Sequence, residues 1–357
     1  MIQNKPSSAN PMHDFVPQPS LDVGAIQAEI EAGYINEQPH PSAPLRILNY
    51  SQRAQFDWRW NAETMQCRGL IVDHQWNIVS RPFPKFFSVE QLNGIVPVEP
   101  FEAYEKMDGS LGILYFVDGK PQIASRGSFT SEQAQRASAM LAARYSDARF
   151  DPDCTYLFEI IYPENRIVVD YGDHEELVLL AIIETATGKE WPLHAYDSVF
   201  PVVKRYDGFS QFEELMATQD GSREGFVVRF ESGQRIKIKF EEYKRLHKLL
   251  TGVSPKAIWE VLRSGRDLSK VIERVPDEFF QWVRETENDL RAAFASIEAT
   301  ARGQMTFGGS RKEIAERFKK CQHPSVMFAM LDGKDYAEQI WRMIRPSGKA
   351  FRCDVDV

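Results

Sequence analysis

The chain has 357 residues, of which 43% are hydrophobic and 26% charged, with a formal net charge of −8. This is the profile of a folded globular protein with room for one large or two ordinary domains, and it excludes a disordered chain. Four scattered cysteines, Cys67, Cys154, Cys321 and Cys353, with no C-x-x-C and no adjacent His pair, exclude a zinc motif and a disulfide framework, and the longest apolar run, LVLLAII at 177–183, is too short to span a bilayer.

In chain order, residues 1–44 are rich in Pro, Ser and Asn, only 21–30 read as helix, and the segment is expected to be a loosely ordered leader. From 45 to 248 the pattern is mostly strand-like. GILYFVDGKPQIAS (112–125) is a hairpin signal around Asp118-Gly119, and GFVVRFESGQRIKIKF (225–240) repeats the device around Ser232-Gly233. YLFEIIY (156–162) and ELVLLAII (176–183) read as central strands, and SEQAQRASAMLAARY (131–145) reads as a helix starting after Ser131. Residues 249–357 change period. SPKAIWEVLRSG (254–265) carries a Ser cap and a first-turn Pro, and DEFFQWVRETENDLRAAFASI has helical apolar spacing. Two more helices fit 311–321 and 334–345, separated by His323-Pro324 and Asp332-Gly333. The fold class predicted is α+β, a body of antiparallel sheets with helices followed by a small all-α C-terminal domain.

Charge is uneven. Residues 246–357 carry 19 Lys+Arg and 16 Asp+Glu, so this segment is +3 and the body −11. RKEIAERFKKCQH (311–323) places Ile314, Phe318 and Cys321 on one stripe and leaves Arg311, Lys312, Lys319 and Lys320 outward, either as a solvated face or as a phosphate contact.

The chemistry concentrates in six stretches of the body. YEKMDGS (104–110) sets Lys106 two residues before Asp108-Gly109, a turn signal in which glycine offers positive φ. ASRGSFTSEQ (124–133) carries Arg126 after a strand, YLFEIIYPENRIV (156–168) carries Glu159 inside an apolar strand, and EGFVV (224–228) carries Glu224 at a strand entrance. In IKIKF (236–240), Lys237 and Lys239 alternate and share one strand face. CRGLIVD (67–73), followed by SRPFPKFF (80–87), supplies Arg68 and Lys85. Each has an ordinary reading on its own: strand lysines as edge gatekeepers, Glu159 paired with a buried arginine, Arg68 and Lys85 as surface cations. Buried together, these charges call for partners, and a polyphosphate with a divalent cation would supply them.

In order and spacing these stretches resemble the K-x-D-G, R/K-G, F-E, E-G and K-x-K motifs of covalent nucleotidyltransferases, and most closely the T4 RNA ligase 1 family, over about residues 45–250. KMDGSLG, SRGSFTSEQA, FEIIYPENRIV, CRGLIVD with SRPFPKFF, and IKIKFEEYKRLH carry the likeness, while Met107 and Arg126 depart from residues common in that family. The resemblance implies a nucleotidyltransferase body with ATP-grasp-like antiparallel sheets. It also implies an ATP-dependent RNA ligase that joins 5′-phosphate and 3′-hydroxyl RNA ends through a lysine-AMP intermediate and an RNA-adenylate, in RNA repair. Lys106 is then the nucleophile and Lys237 and Lys239 contact the α-phosphate. Arg68 and Lys85 hold the β- and γ-phosphates. Glu159 binds the ribose, and Glu159 with Glu224 holds Mg²⁺, or Mn²⁺ in its place. Tyr50, Arg126 and Tyr243 complete the nucleotide site.

A free lysine has a pKa of about 10.4, and cationic neighbours are the expected means of disfavouring the ammonium form. No G-x-x-x-x-G-K-[S/T] is present, so a separate kinase-phosphatase is expected to heal the RNA ends. The expected protein is a cytoplasmic monomer with no membrane partner. DNA ligases and capping enzymes share K-x-D-G but follow K-x-K with a β-barrel, where this chain turns helical. A non-catalytic RNA-binding relative has no need of Lys106.

Overall fold

The structure is a computed structural model that describes residues 20–346 except 166, 210, 242, 245–253, 267, 269–279 and 307. The chain divides into two compact units, Met1–Leu250 and Thr251–Val357. The first contains every described strand and the second is helical.

The first unit opens with helix α1 (Val23–Glu31), capped by Asp22, whose carboxylate accepts from Ala25 N at 2.9 Å. Strands β1 (Ile35–Pro39) and β2 (Leu45–Tyr50), helices α2 (Gln52–Phe56) and α3 (Ala62–Gln66), and strands β3 (Arg68–Asp73) and β4 (Ile78–Ser80) follow. The strands form an antiparallel sheet in the order β1-β2-β3-β4. Ile26 and Ile35 are buried with Leu48, Cys67, Leu70 and Val72. Residues 20–44 therefore belong to the body and are not the loose leader that Pro and Ser content suggests. Two isoleucines packed against the sheet outweigh that composition. Residues 1–19 lie outside the described residues.

Next come β5 (Phe87–Ser88), β6 (Phe101–Lys106), β7 (Ser110–Val117), β8 (Lys120–Ser125), α4 (Glu132–Arg144), β9 (Cys154–Ile161), β10 (Glu176–Glu184), β11 (Glu190–Trp191), β12 (Arg205–Tyr206), α5 (Phe212–Ala217), β13 (Gly225–Phe230) and β14 (Arg235–Lys239). They make two five-stranded sheets, in the orders β11-β10-β9-β7-β8 and β12-β6-β13-β14-β5. Both predicted hairpins form. Val117 pairs with Lys120 around Asp118 and Gly119, both at positive φ (49° and 73°), and Phe230 N donates to Gln234 O at the second turn. Helix α4, capped by Ser131, covers the second sheet with Ala137, Met140 and Leu141.

The third sheet positions the chemistry. Strand β13 lies between β6 and β14, pairing Gly225 with both Lys106 and Lys239. Strand β14 is flanked by β13 and β5, so Lys237 and Lys239 are not edge gatekeepers. Ile236 and Ile238 point into a core with Phe226, Val228 and Phe230, which turns Arg235, Lys237 and Lys239 to the opposite face.

Two glycines are there for space. Gly109 does not adopt the positive φ expected of its turn. A Cβ there would meet Ile160 O at 2.7 Å, so its smallness is what lets the K-x-D-G turn lie against β9. At Gly225 (φ 150°) a Cβ would come within 1.9 Å of Ile238 O, so only glycine brings β13 this close to β14 directly after Glu224.

The second unit holds α6 (Pro255–Arg263), α7 (Phe280–Gly303), α8 (Arg311–Phe318), α9 (Pro324–Leu331) and α10 (Ala337–Met343). Ala301, Phe318, Val326, Met327 and Ile340 form its core, and Trp259 Nε1 donates to Trp341 O at 2.8 Å. Helix α9 lies where the sequence offers only a separator. PSVMFAML has no polar face to set a period, and Pro324 at its start begins a helix instead of ending one. No helix among the described residues is long and apolar enough to cross a membrane.

Gly225→Ala should lower stability by about 2 kcal/mol or more, because both φ and strand spacing resist a methyl group. Gly119→Ala, at φ 73° with nothing within 4 Å of its Cβ, should cost about 1 kcal/mol. Denaturant midpoints of the two variants check the order, and equal losses would mean that the close approach at Gly225 carries no constraint.

Candidate active site

Lys106, at the end of β6, sets its Nζ 2.7 Å from Glu224 Oε2, and Lys239, at the end of β14, sets its Nζ 2.9 Å from Glu224 Oε1. Glu224 is only 3% exposed. Burial alone would push its carboxyl up, but Lys106 and Lys239 together hold it below the usual carboxylate range. One buried carboxylate thus draws the ends of two strands together.

Glu159 lies alongside on β9, accepting from Gly109 N at 3.0 Å. Burial, reinforced by the negative charge of Glu224, raises its pKa to about 7 against the pull of Lys106, the Gly109 amide and Arg68. A lone glutamate in YLFEIIY signals something unusual, and the raised pKa is its physical form. Lys237, 8% exposed, shares the face of β14 with Lys239 and pairs in register with Val227 and Ser88.

A second group assembles on aromatic rings. Lys85 is 2% exposed, with its ammonium 5.0 Å, 5.3 Å and 5.7 Å from the ring centres of Phe87, Trp60 and Tyr50. This desolvated cage favours a cation and does not fit the surface-cation reading of Lys85. Arg126 lies over the Tyr50 ring at 5.4 Å and donates to its hydroxyl at 3.3 Å, while Arg68 lies over Phe86 at 5.2 Å.

Tyr243 is also in place, but its hydroxyl is committed to Asp108 Oδ1 at 2.7 Å and its ring lies 5.1 Å from Lys239 Nζ. Asp108 is more than half of a turn. Its Oδ2 accepts from Val168 N (2.8 Å) and Val169 N (2.7 Å), and its own N–H donates to the Tyr171 hydroxyl at 2.9 Å. It fastens residues 168–171 and Tyr243 to the turn that follows Lys106. Sequence pattern alone reveals neither this role nor the parts of Trp60 and Tyr171, because no spacing marks a contact between residues so far apart in the chain.

All ten residues singled out from the sequence lie in the first unit. The contacts above join Lys106, Lys239, Glu224, Glu159 and Arg68 by charge, and Lys85, Tyr50 and Arg126 through rings. Among the described residues no group of three or more His, Cys, Asp or Glu is placed to hold a metal ion. In the second unit two cations of the basic segment 311–323 are paired with carboxylates. Arg311 pairs with Asp332 at 2.5 Å, Lys319 with Glu316 at 2.9 Å, and Arg317 donates to Gly308 O, which favours the solvated-face reading. Phe318 is buried, with Ile314 and Cys321 packed beside it, as the stripe predicts.

A family model described as RNA ligase matches residues 66–244, half of the chain. A putative bifunctional polynucleotide kinase/RNA ligase of Autographa californica nuclear polyhedrosis virus is 28% identical over 238 residues, 57% of this chain and 33% of that protein. The chain thus spans about a third of the length of that relative. An RNA ligase of Rhodothermus phage RM378 is 20% identical over 380 residues, 82% of this chain and 86% of that one. Among solved structures, an archaeal ATP-dependent RNA ligase has a TM-score of 0.46 at 14% identity, covering 89% of this chain and 98% of that chain. A Naegleria gruberi RNA ligase mutant with ATP and Mn has a TM-score of 0.35 at 17% identity, covering 42% and 52%.

Glu159 yields a pH prediction for the metal-free protein. With a folded pKa of about 7 against an ordinary 4.5, the folded state holds its proton more tightly than the unfolded state. Stability therefore falls as pH rises from the lower value through the higher one, and is flat beyond. Glu159→Gln removes this loss, so its Tm relative to the parent should be higher at pH 8 than at pH 5. A pH-independent difference would mean that Glu159 ionises normally.

Proposed function

We propose that this chain, which belongs to the RNA ligase family, is an ATP-dependent ligase that joins 5′-phosphate and 3′-hydroxyl RNA ends. The observation that carries the reading is the meeting of Lys106 and Lys239 on buried Glu224, beside Glu159. A lysine held at a strand end among cations and carboxylates suits attack on a phosphate better than it suits surface solvation.

In the first transfer, the neutral Lys106 Nζ attacks the α-phosphorus of ATP. An N–P bond forms, the α–β P–O bond breaks, pyrophosphate leaves with the electron pair, and Nζ gives up one proton to solvent. Lys237 and Lys239 face the α-phosphate and stabilise the charge that builds there. Lys106 is released from Glu224 as phosphate oxygens compete for its company, which frees its Nζ to face the α-phosphorus. Arg68 and Lys85 hold the β- and γ-phosphates, while Tyr50 and Arg126 flank the nucleotide. Glu159 accepts from the ribose hydroxyls, and Tyr243 supports Lys239 and the Asp108 turn.

In the second transfer, an oxygen of the RNA 5′-phosphate attacks the AMP phosphorus, and Lys106 leaves to give an RNA-adenylate. In the third, a 3′-hydroxyl attacks the activated 5′-phosphate and AMP departs, leaving a phosphodiester. Two carboxylates whose site is completed by phosphate oxygens fit a hard, water-retaining cation, Mg²⁺ or Mn²⁺, with Glu159 and Glu224 as its protein ligands. Such an ion would supply charge neutralisation on the phosphates.

A DNA ligase or capping enzyme is less well supported, since no strand follows β14 among the described residues. RNA repair, with ends prepared by a separate kinase-phosphatase, fits a ligase that requires a 5′-phosphate.

Lys106→Ala should lose the protein-AMP adduct formed with labelled ATP and lose sealing with ATP, yet should still seal RNA that is already 5′-adenylylated. Undiminished adduct in this variant overturns the assignment. Neutralising Lys237 or Lys239 should slow single-turnover adenylylation by about two orders of magnitude, and an unchanged rate in both would remove them from the transfer step.

A further inference from the structure

A second concavity of about 490 Å³ opens in the first unit. Its walls come from the end of α3, the segment 81–86, the β10–β11 turn and the β13–β14 hairpin. It lies on the continuation of the lysine face. Arg235 precedes Lys237 at the same two-residue interval on β14, about 6.6 Å from Lys237 and about 13 Å from Lys239 along the strand, and Arg229 stands opposite Arg235 in register.

Five cations line this cavity, Arg81, Lys85, Lys189, Arg229 and Arg235, against two carboxylates, Glu190 and Glu231. Arg81 donates to Thr185 O at 2.6 Å and Lys85 is assigned above to the ATP phosphates, so Lys189, Arg229 and Arg235 are the cations offered to an RNA phosphate. Glu190 answers both Arg229 (3.5 Å) and Arg235 (2.5 Å), and Arg229 also meets Glu102 at 3.2 Å. The remainder of the wall is apolar, with Met65, Leu70, Phe83 and Phe86. The two rings each carry a guanidinium on one face, Arg235 over Phe83 at 4.1 Å and Arg68 over Phe86 at 5.2 Å, so that a base would meet the other face. Gln66, 8% exposed, adds an amide oxygen that has no hydrogen-bond partner among the described residues.

Pyrophosphate would satisfy the cations and leave the aromatic wall and the amide unused. A bare base would do the reverse. A nucleotide uses both, with its phosphate on the guanidinium groups and its base against the rings, an exocyclic N–H meeting Gln66. We propose that this cavity binds one nucleotide of the RNA strand, base and phosphate together, beside the site of nucleotidyl transfer. The assignment rests on the RNA ligase reading above.

The test uses the full chain and 5′-phosphorylated, 3′-hydroxyl RNA carrying 4-thiouridine at successive positions from either end. Photocrosslinks at one such position should map to residues 65–70, 81–86 or 229–235. Arg235→Gln and Lys189→Glu should each weaken RNA binding, roughly tenfold for the arginine. The slope of log affinity against log salt should become shallower by about 0.7 for each phosphate no longer neutralised. Adduct formation should keep its KM for ATP within about twofold. Lys189 is exposed, so its variant keeps the test open if Arg235→Gln does not fold. Unchanged RNA affinity in the folded variants, with no crosslink in these segments, overturns the assignment. A raised KM for ATP with unchanged RNA affinity also overturns it, giving the cavity to the nucleotide substrate's own phosphates. Crosslinking by a parent protein that forms no adduct and seals nothing would uphold the cavity while the ligase reading fell.

Discussion

The arrangement depends on one buried carboxylate. Glu224 is 3% exposed and holds an ammonium group on each of its oxygens. A carboxylate this deep needs partners, and two ammonium groups this close need an anion between them. The pairing is available only because β13 runs between the strands that carry Lys106 and Lys239, and because Gly225 lets it lie against β14 without a side chain. The sheet order, the glycine and the ion triad are therefore one constraint seen at three scales. The energy of the triad goes into fixing the lysines where phosphate chemistry needs them.

A second constraint keeps the strand end that carries Lys106 from drifting. Asp108 commits both oxygens to groups distant in sequence, taking Tyr243 on one side and two backbone amides of 168–169 on the other. Glu175, which accepts from Arg136 and Arg144 of α4, ties down the far end of the same excursion. The turn after Lys106 is thereby braced from three directions by groups that never touch the lysine. Such supporting contacts let a site hold its geometry while carrying charges that would otherwise repel.

The sequence made legible what has a period or a local signature. The alternation of Lys237 and Lys239 gave their common face, Asp118-Gly119 gave a hairpin, and Ser131 and Ser254 cap helices as their side chains allow. What stayed hidden depends on distant contact. Ile26 and Ile35 look unremarkable in a Pro- and Ser-rich segment until β2 and β3 supply the surface they cover. The aromatic cage of Lys85 draws Trp60, Tyr50 and Phe87 from three places in the chain. Helix α9 hid for the opposite reason, since a segment apolar on all sides has no period to read. At Asp108-Gly109 the motif was right and its cause was wrong, because the glycine answers the crowding of β9 and not a left-handed backbone.

The same local view resolves the apparent conflict between a net charge of −8 and a polyanionic substrate. At physiological ionic strength the Debye length is about 8 Å, so distant surface carboxylates contribute little inside a partly dry pocket. What a phosphate meets is the row Lys239, Lys237, Arg235 along one strand face, with Lys106 across from the first and Arg229 across from the last. Glu224 and Glu190 stand at the two ends of that row, each shared by two cations. Each carboxylate keeps its pair of cations from repelling in the absence of ligand, yet leaves an excess positive charge. An incoming phosphate takes up that excess, replaces water and draws Lys106 from Glu224, while Glu190 keeps Arg229 and Arg235 in register. The acidic exterior then disfavours nonspecific adhesion to nucleic acid elsewhere on the body, and attraction is confined to the face proposed for the transfer.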